Sequence, residues 1–230
     1  MSRSFLQYLV DMKKLRIFVP MFKVIIRKIK KMKKSILCIA GMLLLYSCNI
    51  TMDGLTSGYS KLSEEEKQRI VFLDTQDDVC ELSKDGKIYA ITGDQLYKCI
   101  ETQENVMVYT WVPHCTGSHC YLLSYVQSYC DSHGFTLYVV ADYYDSKRMF
   151  NEQENISLPL FSANEKYYKT KYRFKYSKLF MKDLIKDDKL AKEIWYKTTF
   201  VFNYGKLTAY SLTLEDEDAD KSEILKPWNE

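Results

Sequence analysis

Two cysteines, Cys115 and Cys120, lie between two apolar runs of the chain, Val106–Trp111 and Phe135–Ala141. A thiolate is a nucleophile, and two neighbouring thiols can exchange with a disulfide. Inside one regular helix the two cysteines would be about 7.5 Å apart along the axis, whereas a disulfide needs Cα atoms roughly 4.4–6.8 Å apart. The two cysteines can pair if Thr116 and Gly117 form a loop and Ser118 is the helix N-cap, so we expect the helix to begin near Ser118, with Cys115 in the preceding loop. A helix N-terminus at that place would activate the Cys115 thiol.

The elements around the two cysteines predict a strand–helix–strand unit. The first run is rich in β-branched and aromatic residues, as in a buried strand. Gly134 stands where a helix C-cap glycine belongs, immediately before the second run. Between them, apolar residues recur at helical spacing, namely Leu122, Tyr125, Val126 and Tyr129.

The segment before this unit predicts a helix and strand extension, over residues 59–104. Lys61–Leu73 begins as a helix, because Ser63 and Glu66 have the spacing of a capping box. Lys87–Thr92 alternates like a strand. Asp94–Glu101 reads as a helix whose inner side carries Leu96, Cys99 and Ile100.

The segment after the unit predicts a short strand, a long helical region and a hairpin. The strand covers Ile156–Phe161, and Phe174–Ile194 is mostly helical, with an apolar face of Tyr176, Leu179, Phe180, Leu184 and Ile185. Thr198–Asn203 is a strand, and Tyr204 with Gly205 makes a tight turn. Leu207–Leu214 returns as the partner strand.

This order of elements resembles the thioredoxin family over roughly residues 106–214. The family has a tryptophan four residues before its nucleophilic cysteine, as Trp111 stands before Cys115. It also has a strand that runs from a cis-proline to a glycine eight residues later, a spacing matched by Lys197 and Gly205. The resemblance implies an α/β fold with a mixed sheet and flanking helices.

The resemblance also implies thiol–disulfide exchange, in which Cys115 attacks and Cys120 resolves the mixed disulfide. It implies a partner-binding surface made by Trp111, Pro113, His114, Lys197 and Thr198. Two departures favour an alternative, a non-catalytic binding module. The second cysteine follows four intervening residues instead of two, and Lys197 replaces the proline.

A second alternative is a copper or zinc chaperone, because His114 and His119 stand beside the two cysteines. The chain has no phosphate-binding glycine loop, and we expect no cofactor. Cys80 and Cys99 are candidates for a structural disulfide, and Cys130 is expected to be a buried small apolar residue.

The N-terminal region resembles the signal peptide of a bacterial lipoprotein. Five lysines precede an apolar stretch of 11 residues, Ile36–Tyr46, which is too short to span a bilayer. It ends in Leu45-Tyr46-Ser47-Cys48, similar to a lipobox, which implies cleavage before Cys48 and lipid attachment to its sulfur. The alternative is an uncleaved membrane anchor. Residues 1–31 are either an unusually long basic region or an extension ahead of the true start at Met32.

The expected organisation is a signal peptide over 1–47, a lipidated tether over 48–58, the extension over 59–104, the thioredoxin-like domain over 105–214 and an acidic tail over 215–230. The resemblance places the protein in the bacterial cell envelope, attached to the membrane and facing the periplasm or the cell surface, with a protein thiol or disulfide as partner.

Charge is distributed unevenly along the chain. The first 48 residues hold 11 lysine and arginine residues and one acid, Asp11, whereas the remainder holds 22 basic and 29 acidic residues, a net charge of −7. An acidic body argues against a nucleic-acid partner.

Overall fold

Seven strands form one mixed sheet in the order β1-β2-β5-β4-β3-β6-β7. The computed structural model describes residues 54–115, 117, 120–145 and 147–214. The strands are β1 Ile70–Phe72, β2 Ile88–Ile91, β3 Val106–Trp111, β4 Thr136–Ala141, β5 Leu160–Ala163, β6 Thr199–Asn203 and β7 Lys206–Ser211. The predicted signal peptide, Cys48 and the predicted acidic tail lie outside the described residues.

The helices flank this sheet. They are α1 Glu64–Gln68, α2 Gly93–Ile100, α3 Leu123–His133, α4 Met149–Glu152, α5 Arg173–Ile185 and α6 Asp188–Ile194, with 3₁₀ turns at Tyr59–Lys61 and Gln153–Asn155. None of the helices in the described ranges is long and apolar enough to cross a membrane. The predicted α/β class, with a mixed sheet and flanking helices, is confirmed.

The sheet direction follows from the connections. The first five strands in sheet order, β1-β2-β5-β4-β3, are parallel to one another. β6 runs antiparallel to β3 and also to β7. The block β4-β3-β6-β7, with α3 between β3 and β4, is compatible with a thioredoxin-like arrangement. The strands β2 and β1 of the N-terminal extension belong to this same sheet, and β5 lies between β2 and β4.

Two apolar layers cover the two faces of the sheet. Alternate residues of β3 belong to different layers, with Val106 and Val108 on one face and Met107 and Tyr109 on the other. The first layer includes α2, α5 and α6, and the second includes α3. Gly93 allows α2 and α5 to touch, because a Cβ atom there would come within 2.1 Å of the Phe180 carbonyl oxygen.

Several local predictions are confirmed. The side chain of Ser63 accepts a hydrogen bond from the amide of Glu66, which completes the capping box of α1. Gly134 ends α3 in the left-handed conformation. Tyr204 and Gly205 form the turn between β6 and β7, both with positive φ, as a two-residue hairpin requires.

The predicted start of α3 near Ser118 is wrong, because the helix begins at Leu123. Both cysteines lie in the loop before it. The inner face of α3 consists of Leu123, Val126 and Cys130, whereas Leu122 is 65% exposed and Tyr125 is 41% exposed. The adjacent leucines at 122 and 123 allow two helical registers, and only contact with the sheet selects one of them.

Two other helix boundaries and one apolar face differ from the sequence expectation. The helix that opens at Ser63 ends at Gln68, and the chain then enters β1. The long helical region is two helices, because Lys186 adopts a positive φ and Asp187 caps α6. Leu179 is only partly buried, and its expected place in the apolar face is taken by Met181.

Candidate disulfide site and adjacent cavity

The loop that carries the two cysteines leaves the carboxyl end of β3. The amide of Cys115 donates to the Val112 carbonyl at 3.0 Å, and the amide of Cys120 donates to the Gly117 carbonyl at 3.1 Å. These turns place the two cysteine Cα atoms 5.6 Å apart, with the sulfurs at disulfide distance. Both cysteines are partly exposed, so the pair is open to another thiol.

The segment after β4 holds the start of this loop. Arg148 Nη1 donates to the Pro113 carbonyl at 2.8 Å, and the amide of His114 donates to the Tyr143 hydroxyl at 2.9 Å. The half-exposed His114 ring contacts the buried carboxylate of Asp145. The loop is therefore fixed at its first residues, before Cys115.

The predicted binding residues divide into two groups. Trp111 is 5% exposed and packs in the apolar layer that contains α3, and Pro113 is also buried. Of these three predicted residues, His114 is the exposed one. A partner in contact with the loop would therefore meet His114, Cys115 and Cys120, while Trp111 supports the loop from below.

Lys197 and Thr198 lie across the end of β3 from this segment. The Thr110 amide donates to the Thr198 carbonyl at 2.7 Å, and the Thr110 hydroxyl is 3.3 Å from the Lys197 carbonyl. The Lys197 amide itself donates to the Ile194 carbonyl at 2.8 Å. These contacts fix the connection between α6 and β6 against the carboxyl end of β3.

A cavity of about 120 Å³ opens beside this contact. It lies at the carboxyl ends of β3, β4 and β5, which is the edge where open α/β sheets bind ligands. Its walls include Thr110, Val112, Val140, Ala163, Phe180 and Trp195, and its mouth includes Arg173, Tyr196 and Lys197. Sequence reasoning did not find this cavity.

A buried ion pair forms part of the cavity wall. Asp142 Oδ2 lies 2.9 Å from Arg173 Nε, and the Ser177 hydroxyl donates to Asp142 Oδ1 at 2.5 Å. Burial raises the pKa of Asp142, although Arg173 and Ser177 both act to lower it. In the sequence, Asp142 follows the apolar run of β4 and Arg173 stands at the start of α5. No sequence spacing indicates that these two residues form an ion pair.

The other described cysteines are one pair, Cys80 and Cys99, and one free cysteine, Cys130. Cys80 is exposed and Cys99 is fully buried, with their sulfurs at disulfide distance and their Cα atoms 5.3 Å apart. The free Cys130 is fully buried, which raises the pKa of its thiol to about 12. Cys130 therefore packs as the expected small apolar residue.

The residues that the structure describes include no group of three or more histidine, cysteine, aspartate or glutamate side chains placed to hold a metal ion. His119 is outside those residues, so copper or zinc binding stays a prediction.

Comparisons with protein-family models, with curated proteins and with solved structures find no match to this chain.

Proposed function

We propose that this protein is a lipid-anchored, thioredoxin-like protein of the bacterial cell envelope that exchanges disulfides through Cys115 and Cys120. The observation that carries the proposal is the placement of both cysteines in one partly exposed loop at the carboxyl end of β3, with Cα atoms 5.6 Å apart. The expected partner is a protein thiol or disulfide.

The exchange consists of two thiolate attacks. The Cys115 thiolate attacks one sulfur of a partner disulfide, a mixed disulfide forms, and the other partner sulfur leaves as a thiolate. The Cys120 thiolate then attacks the Cys115 sulfur and releases the second partner thiolate. The partner gains two electrons and becomes a dithiol, and Cys115 and Cys120 become a disulfide.

The loop, and not a helix N-terminus, would set the reactivity of Cys115. Because α3 begins at Leu123, the positive end of its dipole lies beyond both cysteines in the chain. The residue before Cys115 in the chain is His114, whose ring contacts Asp145. Asp145 therefore acts as a positioning residue for this imidazole.

The envelope assignment rests on the sequence before the described residues and on the cysteines within them. The basic region, the short apolar stretch and Cys48 have the pattern of a lipoprotein signal. The pairing distance between Cys80 and Cys99 suits an oxidising compartment, where structural disulfides persist.

Equilibration of the full chain with glutathione buffers of graded potential, followed by alkylation and mass spectrometry, tests the exchange. We expect Cys115 and Cys120 to switch together and reversibly, and Cys115→Ser to abolish reduction of insulin by the protein. Cys130→Ser is the matched control, because it removes a thiol that is buried, and it should keep this activity. Equal insulin reduction by wild type and Cys115→Ser would exclude the proposal.

Metabolic labelling with palmitate in a bacterial host tests the lipid anchor. We expect label in the wild-type chain, recovered with the membranes, and none in Cys48→Ala. A soluble, unlabelled wild-type protein would contradict the anchor and leave the redox chemistry to be decided by the glutathione experiment.

A non-catalytic binding module is the second candidate function. Lys197 favours it, because its amide donates to Ile194 and its carbonyl faces Thr110, an arrangement that leaves no role for a proline ring. This candidate predicts that partner binding survives in the double variant Cys115→Ser/Cys120→Ser, whereas the exchange proposal predicts loss of the mixed-disulfide complex.

A further inference from the structure

The cavity beside β3 has the dimensions of a site for one small apolar group. Its volume of about 120 Å³ is close to that of an engineered apolar cavity of about 150 Å³, which binds benzene. Its inner wall is made by Val140 and Ala163 from the sheet and by Phe180 and Met181 from α5. A ring or a branched aliphatic chain in the cavity would contact these apolar side chains.

The polar groups at the mouth favour an anion. Asp142 is already paired with Arg173 and accepts the Ser177 hydroxyl, so each of its two oxygens already has a partner within the protein. Arg173 Nε lies 2.9 Å from Asp142 Oδ2, and a guanidinium carries further N–H donors on its two Nη atoms. These donors suit a second carboxylate.

Lys197 adds a second positive charge at the mouth. Its ammonium group lies 5.3 Å from the centre of the Tyr196 ring, and both residues border the cavity. Within the described part of the chain, no carboxylate lies at ion-pair distance from Lys197. The lining therefore has two cations and one anion, and an incoming carboxylate would balance this charge.

We propose that this cavity binds a small monocarboxylic acid whose apolar body is about the size of a phenyl ring. The apolar body fills the space against Ala163 and Phe180, and the carboxylate meets Arg173 and Lys197 at the mouth. This site is separate from the thiol chemistry, since the lining includes neither Cys115 nor Cys120, although Val112 belongs to both the lining and the loop.

Isothermal titration of the full chain in detergent with three probes of similar size, all of which carry a phenyl ring, tests this site. The probes are phenylacetate, phenylacetamide and phenethylamine. We expect phenylacetate to bind tightest and phenethylamine to bind at least about tenfold more weakly, because the mouth repels a cation. Equal affinities for all three probes, or tighter binding of the amine, would overturn the charge assignment.

Two variants test whether phenylacetate binds in this cavity. Ala163→Leu fills the space and should abolish the heat of phenylacetate binding, while Lys197→Gln should weaken binding about threefold to fivefold. Lys175→Gln is the matched control, because it removes an exposed lysine of α5 that does not line the cavity. Circular dichroism checks that Ala163→Leu is folded, and if it is not, the contrast between the two lysine variants decides. Equal binding by wild type and Lys197→Gln would overturn the site.

The same chemistry also occurs at the C-terminal residue of a peptide. N-acetylphenylalanine distinguishes the two sources, since it adds a backbone amide to the same ring and carboxylate. Tighter binding of phenylacetate assigns a free acid, and tighter binding of N-acetylphenylalanine assigns a peptide terminus. Absence of binding by both acids would overturn the proposal.

Discussion

The two cysteine pairs of this protein have similar Cα separations, 5.3 Å and 5.6 Å, but very different surroundings. Cys99 is fully buried on α2, and its sulfur lies 3.2 Å from the Tyr138 hydroxyl and 3.3 Å from the Gln103 amide nitrogen. Cys115 and Cys120 lie together in one partly exposed loop. The first pair joins a surface segment to the interior, whereas the second joins two positions of the same loop.

This difference separates a structural role from a chemical one. An attacking thiol must reach a sulfur of the disulfide, and burial of Cys99 blocks one of the two sulfurs of its pair. The Cys80 segment is also held on α2 by Gln95, whose side-chain amide donates to the Asp74 carbonyl at 2.7 Å. We infer that the Cys80–Cys99 pair stabilises the fold and that the Cys115–Cys120 pair exchanges.

The largest effect is expected from Cys80→Ala, which removes the structural pair at its exposed end. The closed loop spans 19 residues, and its loss should lower the free energy of unfolding by about 3 kcal/mol. Urea denaturation without reductant measures this change, and reduced wild type, in which both cysteine pairs are open, should lose at least as much stability as the variant. An unchanged urea midpoint would show that the two cysteines do not form a stabilising disulfide.

A smaller loss is expected when the loop pair is removed in Cys115→Ala/Cys120→Ala. The loop of five residues gives an entropic stabilisation of about 2 kcal/mol at most. The contacts of Pro113 and His114 already order the start of this loop, so we expect the measured loss to be below that value. A loss greater than for Cys80→Ala, in the same urea assay, would reverse the assignment of the two pairs.

Cys130 is buried and free, and its thiol can be compared with the two cysteine pairs. Burial raises its pKa from 9.0 to about 12, so between these values the unfolded chain releases a proton that the folded chain keeps. This contribution to stability is full below pH 9 and is lost as the pH rises toward 12. The stability difference between wild type and Cys130→Ala should therefore fall by about 1.4 kcal/mol per pH unit above pH 9, in urea titrations at pH 8, 9 and 10. A constant difference over this range would show that the thiol titrates equally in both states.

The smallest effect is expected from Lys197→Pro, which introduces the residue that the thioredoxin family has at the position matched by Lys197. Proline has no amide hydrogen, so the bond from Lys197 to the Ile194 carbonyl would be lost, at about 1 kcal/mol. Thermal unfolding should show a lower Tm than for Lys197→Gln, which keeps the amide. A higher Tm for the proline variant would mean that this position accepts the geometry of the family.

Local sequence signals predicted most elements of the fold. The β3 run, the capping box at Ser63, the C-cap at Gly134 and the turn at Tyr204 each depend on neighbours within a few residues, and each is confirmed. The predicted start of α3 near Ser118 is wrong because it relied on a serine N-cap, whereas the helix starts at Leu123 after Leu122, which makes no side-chain cap hydrogen bond.

Only part of the candidate site could be predicted from the sequence. Cys115 and Cys120 are close in the chain, so their pairing distance could be judged in advance. Asp142 and Arg173 are brought together only by the packing of α5 on the carboxyl end of β4. A cavity between strands and a helix has no sequence motif, because its shape depends on the packing of distant segments.

The position of β5 has a consequence for how the chain reaches this structure. β2 pairs with β5 over residues 88–91 and 160–163, and β5 also pairs with β4. A nascent chain that ends before residue 160 therefore lacks the strand that separates β2 from β4, and the edges of β2 and β4 that β5 will cover are open and carry apolar residues. Such edges are templates for pairing with other chains. Until β5 is inserted between them, the order of synthesis leaves this protein exposed to aggregation through its own central strands.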